Sequence, residues 1–381
     1  MSSFDFEDIR PYTDAETVAA LRRISQHPML SSISNYLYPE QPDSALSALL
    51  SGMGSVDQFQ SEVMIPAIGR VLDKTSAGFT CSGLENIRSM RGRYLAFSNH
   101  RDITMDPALV QYAMCKNGLP FTAICVGSNL ISNELMVDLL RSNRMIKVIR
   151  GIGARELYVC SQRLSEYIRT QITTGEVSVW IAQREGRTKD GRDTTEQGLL
   201  KMLEMSGKGT FEDNFRELGI VPTSISYEYE SCDALKAREV LLRRQGPYIK
   251  KEHEDMNSIV TGIRQQKGHI HLHFGTPLTA EEIAEAARCA KNDRYQALRH
   301  TLDQHILEGY RLWKTNYIAH DMLRGKTRFA DAGLYSAAEF AQFGEYVAQK
   351  LGEVGDQLDI QALKEIFLGI YANPVDAKEG R

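Results

Sequence analysis

The chain lacks most of the features that would assign a class at a glance. Its six cysteines (81, 115, 125, 160, 232 and 289) form no Cys-x-x-Cys pair. Most sit in apolar runs, which reads as reduced, buried thiols in a cytosolic compartment and argues against a disulfide framework. No uncharged apolar run approaches the roughly 18–20 residues that span a bilayer. The first ten residues carry Asp5, Glu7 and Asp8, which does not fit a secretory signal. There is no internal repeat and no low-complexity tract. A Walker loop is absent, and Arg150-Gly151-Ile152-Gly153 lacks the third glycine of a dinucleotide fingerprint. The net charge of −4 argues against a globally basic nucleic-acid binder.

What is present is an ordinary globular composition, 42% hydrophobic and 25% charged over 381 residues, which excludes a disordered chain. The first 75 residues read as helical. Thr13 and Glu16 have capping-box spacing, and a second helix is expected over 56–73 with a kink or break at Pro66. From about 78 the texture alternates. Strands are expected at 79–81, 94–97, 122–126, 146–149, 177–181, 221–227 and 270–274. Helical patterns fill 107–117, 133–142, 154–173, 194–205 and 233–245. This pattern predicts an α/β fold with a mixed, largely parallel sheet flanked by helices. Beyond 279 the pattern is helical again, with one long amphipathic helix expected over 292–323. The divisions expected are thus 1–75, 76–278 and 279–381.

Three polar loops follow expected strands, where open α/β sheets bind ligands. The first holds Asn99, His100, Arg101 and Asp102, with Asp106-Pro107 starting the next helix. Pro107 suits a first helical position, so Asp106 is expected at the N-cap. A neutral imidazole with a carboxylate beside it suits general-base work, and both Asp102 and Asp106 are within reach. The second is a run of cations, Arg141, Arg144, Lys147, Arg150 and Arg155, with no acid between Asp138 and Glu156. Such a run suits a phosphate, a coenzyme A moiety or an anionic lipid surface. The third is Glu185-Gly186-Arg187-Thr188-Lys189, a flexible backbone with a guanidinium fork and an ammonium.

With Pro222 and its neighbours in the strand at 221–227, these blocks come in an order that resembles the glycerolipid acyltransferases, the lysophosphatidic acid and glycerol-3-phosphate acyltransferase superfamily. The resemblance covers residues 78–276. It implies a His–Asp pair at one end of a hydrophobic groove, His100 as general base and Asp106 or Asp102 as its orienter. Asn99, Arg101, Arg150, Glu185, Gly186, Arg187 and Lys189 become the expected substrate-binding residues. The implied substrates are a glycerol-phosphate or lysophospholipid acceptor and an acyl-coenzyme A or acyl-carrier protein donor, with no further cofactor and no metal. The implied location is the cytoplasmic face of a membrane, with the helical ends docking to the bilayer or capping the groove. Here five residues separate His100 from Asp106, where the family usually has four. Two competing readings are a catalytically decayed lipid-binding scaffold and a zinc hydrolase using His269, His271 and His273, which alternate along one strand, with His253 or Glu254.

Overall fold

The computed structural model describes residues 4–380 apart from 43, 132 and 356. Seven short strands form one sheet: β1 (Ser76–Ser82), β2 (Leu95–Ser98), β3 (Ala123–Gly127), β4 (Met145–Val148), β5 (Val179–Ala182), β6 (Ile220–Tyr227) and β7 (Gly268–Phe274). Their order is β1-β7-β6-β2-β5-β3-β4. All neighbours pair in parallel except β6 and β7. The fold is therefore α/β with a mixed, mostly parallel sheet. Every expected strand is there, its ends displaced by no more than three residues. β2, β3 and β6 are buried along their whole length, because helices cover both faces and side chains pointing either way must be apolar or paired. Pro222 sits inside β6 where the ladder to β7 has ended: that pairing starts at Thr223, and Pro222 contributes only its carbonyl, to Gly275 N.

One face of the sheet packs Tyr94, Ala96, Trp180, Ile225 and Leu272 beneath the helices Ile65–Thr75 and Met105–Lys116. The other packs Leu95, Phe97, Cys125, Ile181 and Ile220 beneath Ala154–Thr173 and Gln197–Glu204. Both helical ends share these cores. Ile9 enters the second core, and its carbonyl accepts from Lys147 N at the β4 edge. Ala280–Ala287 and Arg294–Gly309 complete the same core through Ile283, Leu298 and Ile306. The remaining C-terminal helices pack with Asp233–Gln245, which follows β6. Gly191 shows how closely they dock. Its φ is +80°, and a Cβ there would overlap the Ile370 carbonyl of the Ile360–Lys378 helix.

The expected break near Pro66 is found, and a second helix departs from expectation. The 56–73 pattern becomes Val56–Phe59, a π-helical turn Gln60–Met64, and Ile65–Thr75. The wide turn lets Pro66 fall in the first turn of a new segment, where its missing N–H breaks no bond. The 292–323 helix is broken into Arg294–Gly309 and Lys314–Arg324. Gly309 lies against the His273 ring and Ser224, so the first helix ends where it meets the sheet. The second starts afresh, with Asn316 Oδ1 accepting from Trp313 N at 2.7 Å. Among the described residues no helix is long and apolar enough to cross a membrane.

Candidate active site

β2 runs out at Ser98, and the next turn delivers His100 to the carboxyl end of the sheet. The imidazole packs edge-on against Trp180, with ring centroids 5.8 Å apart. Its Nδ1 lies 2.8 Å from Asp106 Oδ2. The same carboxylate oxygen accepts from the backbone N–H groups of Arg101 at 2.5 Å and Asp102 at 2.9 Å. Its other oxygen accepts from the Tyr227 hydroxyl at 2.7 Å. Four donors thus hold one buried carboxylate. Because that oxygen can only accept in such a set, Nδ1 is the donor, and in the neutral ring Nε2 is the nitrogen with the lone pair. The His100 side chain is 14% exposed, enough to meet a small group from outside.

The N-cap expectation for Asp106 is corrected. The helix spans Met105–Lys116 with Thr104 before it, so Asp106 stands in the first turn, near the positive end of the helix dipole. Asp102 does the capping instead. Its Oδ1 accepts from Thr104 N at 2.8 Å and Met105 N at 2.7 Å, and its Oδ2 accepts from the Ser231 hydroxyl. The extra residue between His100 and Asp106 is absorbed by this turn. Asp106 meets the imidazole, and Asp102 does not.

Tyr227 was not legible as a site residue. It ends β6, and nothing local marks it out. Burial and the Asp106 charge push its phenol pKa well up, so it donates rather than ionises. Tyr227→Phe is expected to leave Asp106 Oδ1 buried without its donor. The cost is about 1–3 kcal/mol of stability, measurable by urea unfolding.

Three expected substrate contacts are spent inside the protein. Asn99 is fully buried. Its amide donates to the Ile225 carbonyl and accepts from Ile225 N, extending the β2–β6 ladder by a side chain, and it also reaches Asp193. Arg101 is 1% exposed. It pairs with Asp193 at 2.6 Å and Glu230 at 3.4 Å, and lies over the Tyr310 ring. Lys236, equally buried, joins through Glu230 at 2.6 Å and the Arg101 carbonyl at 2.7 Å. Lys189 pairs with Glu239, and burial lowers its ammonium pKa. The partners Asp193, Glu230 and Lys236 were missed, since each lies far from residue 101 in the chain.

The expected cation run also divides. Arg141 donates to the carbonyls of Glu7 and Arg10, and Arg144 pairs with Asp57, so both fasten the N-terminal segment. Only Lys147 and Arg150 reach a cleft of ≈ 170 Å³ at the end of β3, β4 and β5. Cys125, Ile149, Leu157, Leu164, Ile181 and Met202 give it an apolar floor, with Arg150, Arg184, Glu185 and Glu196 around it. Arg150 and Glu185, separate blocks in sequence, come within 3.8 Å. Gly186 turns the following loop with φ +70°. Arg187 is partly buried, with one guanidinium nitrogen lacking a hydrogen-bond partner among the described residues. The cleft takes residues from the sheet face opposite Trp180, and His100 does not line it.

The three β7 histidines are each hydrogen-bonded to side chains of neighbouring strands and loops, and two of them share Ser82. His269 meets Glu228 at 2.7 Å, His271 meets Thr80 at 2.8 Å and Ser82 at 3.0 Å, and His273 meets Ser82 at 2.8 Å. Burial, then Arg311 and His273, push His271 down to about 4. His253 is exposed beside Glu252. Among the described residues no three His, Cys, Asp or Glu side chains converge as metal ligands would.

Fold and site together define an α/β protein with a His–Asp pair at the carboxyl end of a parallel strand and arginines at the neighbouring strand ends. Over 217 residues, 56% of the chain, the sequence is 26% identical to a glycerol-3-phosphate acyltransferase of Pseudomonas fluorescens (strain SBW25). The match covers 25% of that relative, so the chain spans about a quarter of its length. No family model matches the chain.

Proposed function

We propose that the protein is an O-acyltransferase that moves a fatty acyl group from acyl-coenzyme A or acyl-carrier protein to a glycerol-phosphate or lysophospholipid hydroxyl. The observation that carries this reading is the His100–Asp106 pair, with Nε2 free of any described hydrogen-bond partner. In the reaction, Nε2 takes the proton of the acceptor hydroxyl as its oxygen attacks the thioester carbonyl. Asp106 holds the ring and stabilises the imidazolium. The tetrahedral intermediate then expels the thiolate, which takes the proton back from His100. An ester and a free thiol result, with no acyl-enzyme and no metal in any step. Arg150, with Glu185, Gly186 and Arg187 beside it, holds the acceptor's phosphate. Such an enzyme works at the cytoplasmic surface of a membrane, where its product belongs.

A panel of glycerol-phosphate and lysophospholipid acceptors with labelled acyl-coenzyme A and acyl-carrier protein tests this reading. Transfer to at least one acceptor is expected. Transfer to none, in folded protein, would favour the decayed scaffold. Arg150→Ala is expected to raise KM for a phosphorylated acceptor roughly 10–100-fold, the worth of a charge-assisted hydrogen bond, with kcat largely kept. The same KM change for an acceptor without phosphate would assign Arg150 to another role.

A further inference from the structure

Two exposed apolar elements flank the carboxyl end of the sheet, and each carries its own cations. On one side Leu157, Tyr158 and Val159 are 43%, 57% and 48% exposed, beside the exposed Arg155. On the other Ile249 is 85% exposed, between Arg243-Arg244 and Lys250-Lys251, in a stretch with no acid from 240 to 251. A short loop after β3 ties the two sides together. Ser128 Oγ accepts from Arg150 N at 3.1 Å, and Asn129 Nδ2 donates to Asp255 Oδ2 at 3.1 Å. Lys250 Nζ donates to the other Asp255 oxygen at 2.5 Å. The cleft that Leu157 and Arg150 line opens within this rim.

We propose that this rim is the surface by which the protein docks on an anionic lipid bilayer, an inference that rests on the acyl-transfer reading only for its purpose. The choice of occupant follows from shape and charge. Large apolar side chains at separate loop and helix starts, each among cations, suit shallow insertion at an interface with headgroup phosphates around it. A second exposed apolar pair, Met29 and Ile33, lies in a stretch without cations of its own, since no Lys or Arg occurs from 24 to 69. The cations that pack on their helix, Arg70, Lys74 and Arg264, lie over Tyr36 and Tyr38 at its far end, and Arg70 is paired with Glu40. The proposal puts the docking face on the rim rather than on the helical ends, many of whose large apolar side chains are buried in the cores.

Vesicle co-sedimentation of the full chain tests the proposal without any turnover. Wild type is expected to partition onto phosphatidylglycerol–phosphatidylcholine vesicles, more weakly in high salt and more weakly still on phosphatidylcholine alone. Tyr158→Ser/Val159→Ser/Ile249→Ser and, separately, Lys250→Glu/Lys251→Glu are expected to lower partitioning roughly tenfold or more, because each removes inserted area or attractive charge. Met29→Ser/Ile33→Ser is expected to change nothing. Wild type that ignores anionic vesicles, rim variants that bind as well as wild type, or binding lost only in the Met29/Ile33 variant would each overturn the proposal. So would a rim that ignores vesicles but binds an acidic acyl-carrier protein. Partitioning that persists in a protein with no transferase activity would sink the acyl-transfer reading and leave the docking surface standing.

Discussion

Replacing His100 by alanine is expected to lower acyl transfer by about 10²–10⁴-fold, the usual contribution of a positioned general base. The loss should fall on kcat, because the imidazole acts on the proton in flight and holds no other part of the acceptor. The two aspartates sharpen the test. Asp106→Asn keeps the size of the side chain and, with its carbonyl oxygen held by the Arg101 and Asp102 N–H groups, still accepts from Nδ1. It removes the negative charge that stabilises the imidazolium, so turnover should drop while the ring stays oriented. Asp102→Asn keeps a carbonyl oxygen for Thr104 N and Met105 N, so it should cost far less. Labelled acyl transfer over a range of acceptor concentrations separates the three variants. Full transfer by His100→Ala would remove the mechanism. Equal losses from both aspartate variants would mean that the imidazole is not oriented by Asp106.

Arg101→Ala is expected to destabilise the fold by about 3–5 kcal/mol, the range for removing one partner of a buried ion pair. Asp193 would lose its 2.6 Å guanidinium contact, and Glu230 would keep only Lys236. Arg101→Lys should fall between, because one ammonium cannot reach Asp193, Glu230 and the Gly191 carbonyl together. Urea unfolding midpoints measure this directly. The competing expectation, that Arg101 contacts the acceptor, predicts something different: a raised KM with an unchanged midpoint. The stability result is favoured because the side chain is 1% exposed and both terminal guanidinium nitrogens are already engaged.

Much of the fold was legible along the chain because its causes are local. Runs such as Leu95-Ala96-Phe97 and Ile220-Val221 are too short and too apolar for anything but a covered strand. Thr13 with Glu16 forms a capping box in the structure at the expected place. The breaks at 60–64 and 310–313 were not legible in full. The first needed a change of helix type ahead of Pro66, and the second needed the sheet that Gly309 meets.

The sequence by itself determined which residue types reach the carboxyl end of the sheet, because a strand followed by a polar loop is a local pattern. It placed His100, both aspartates, Arg150 and Glu185 there. Only the tertiary structure decided how they divide. Asp106 rather than Asp102 meets the imidazole, since one carboxylate is drawn to Tyr227 of β6 and the other to Ser231. Asn99 and Arg101 turn inward, since the loop at 191–193 and the residues after β6 bring partners from about ninety to 130 positions away. A hydrogen-bonding side chain carries no mark of whether its partner is water, substrate or a distant carboxylate. Burial settles that, and burial belongs to the packed chain.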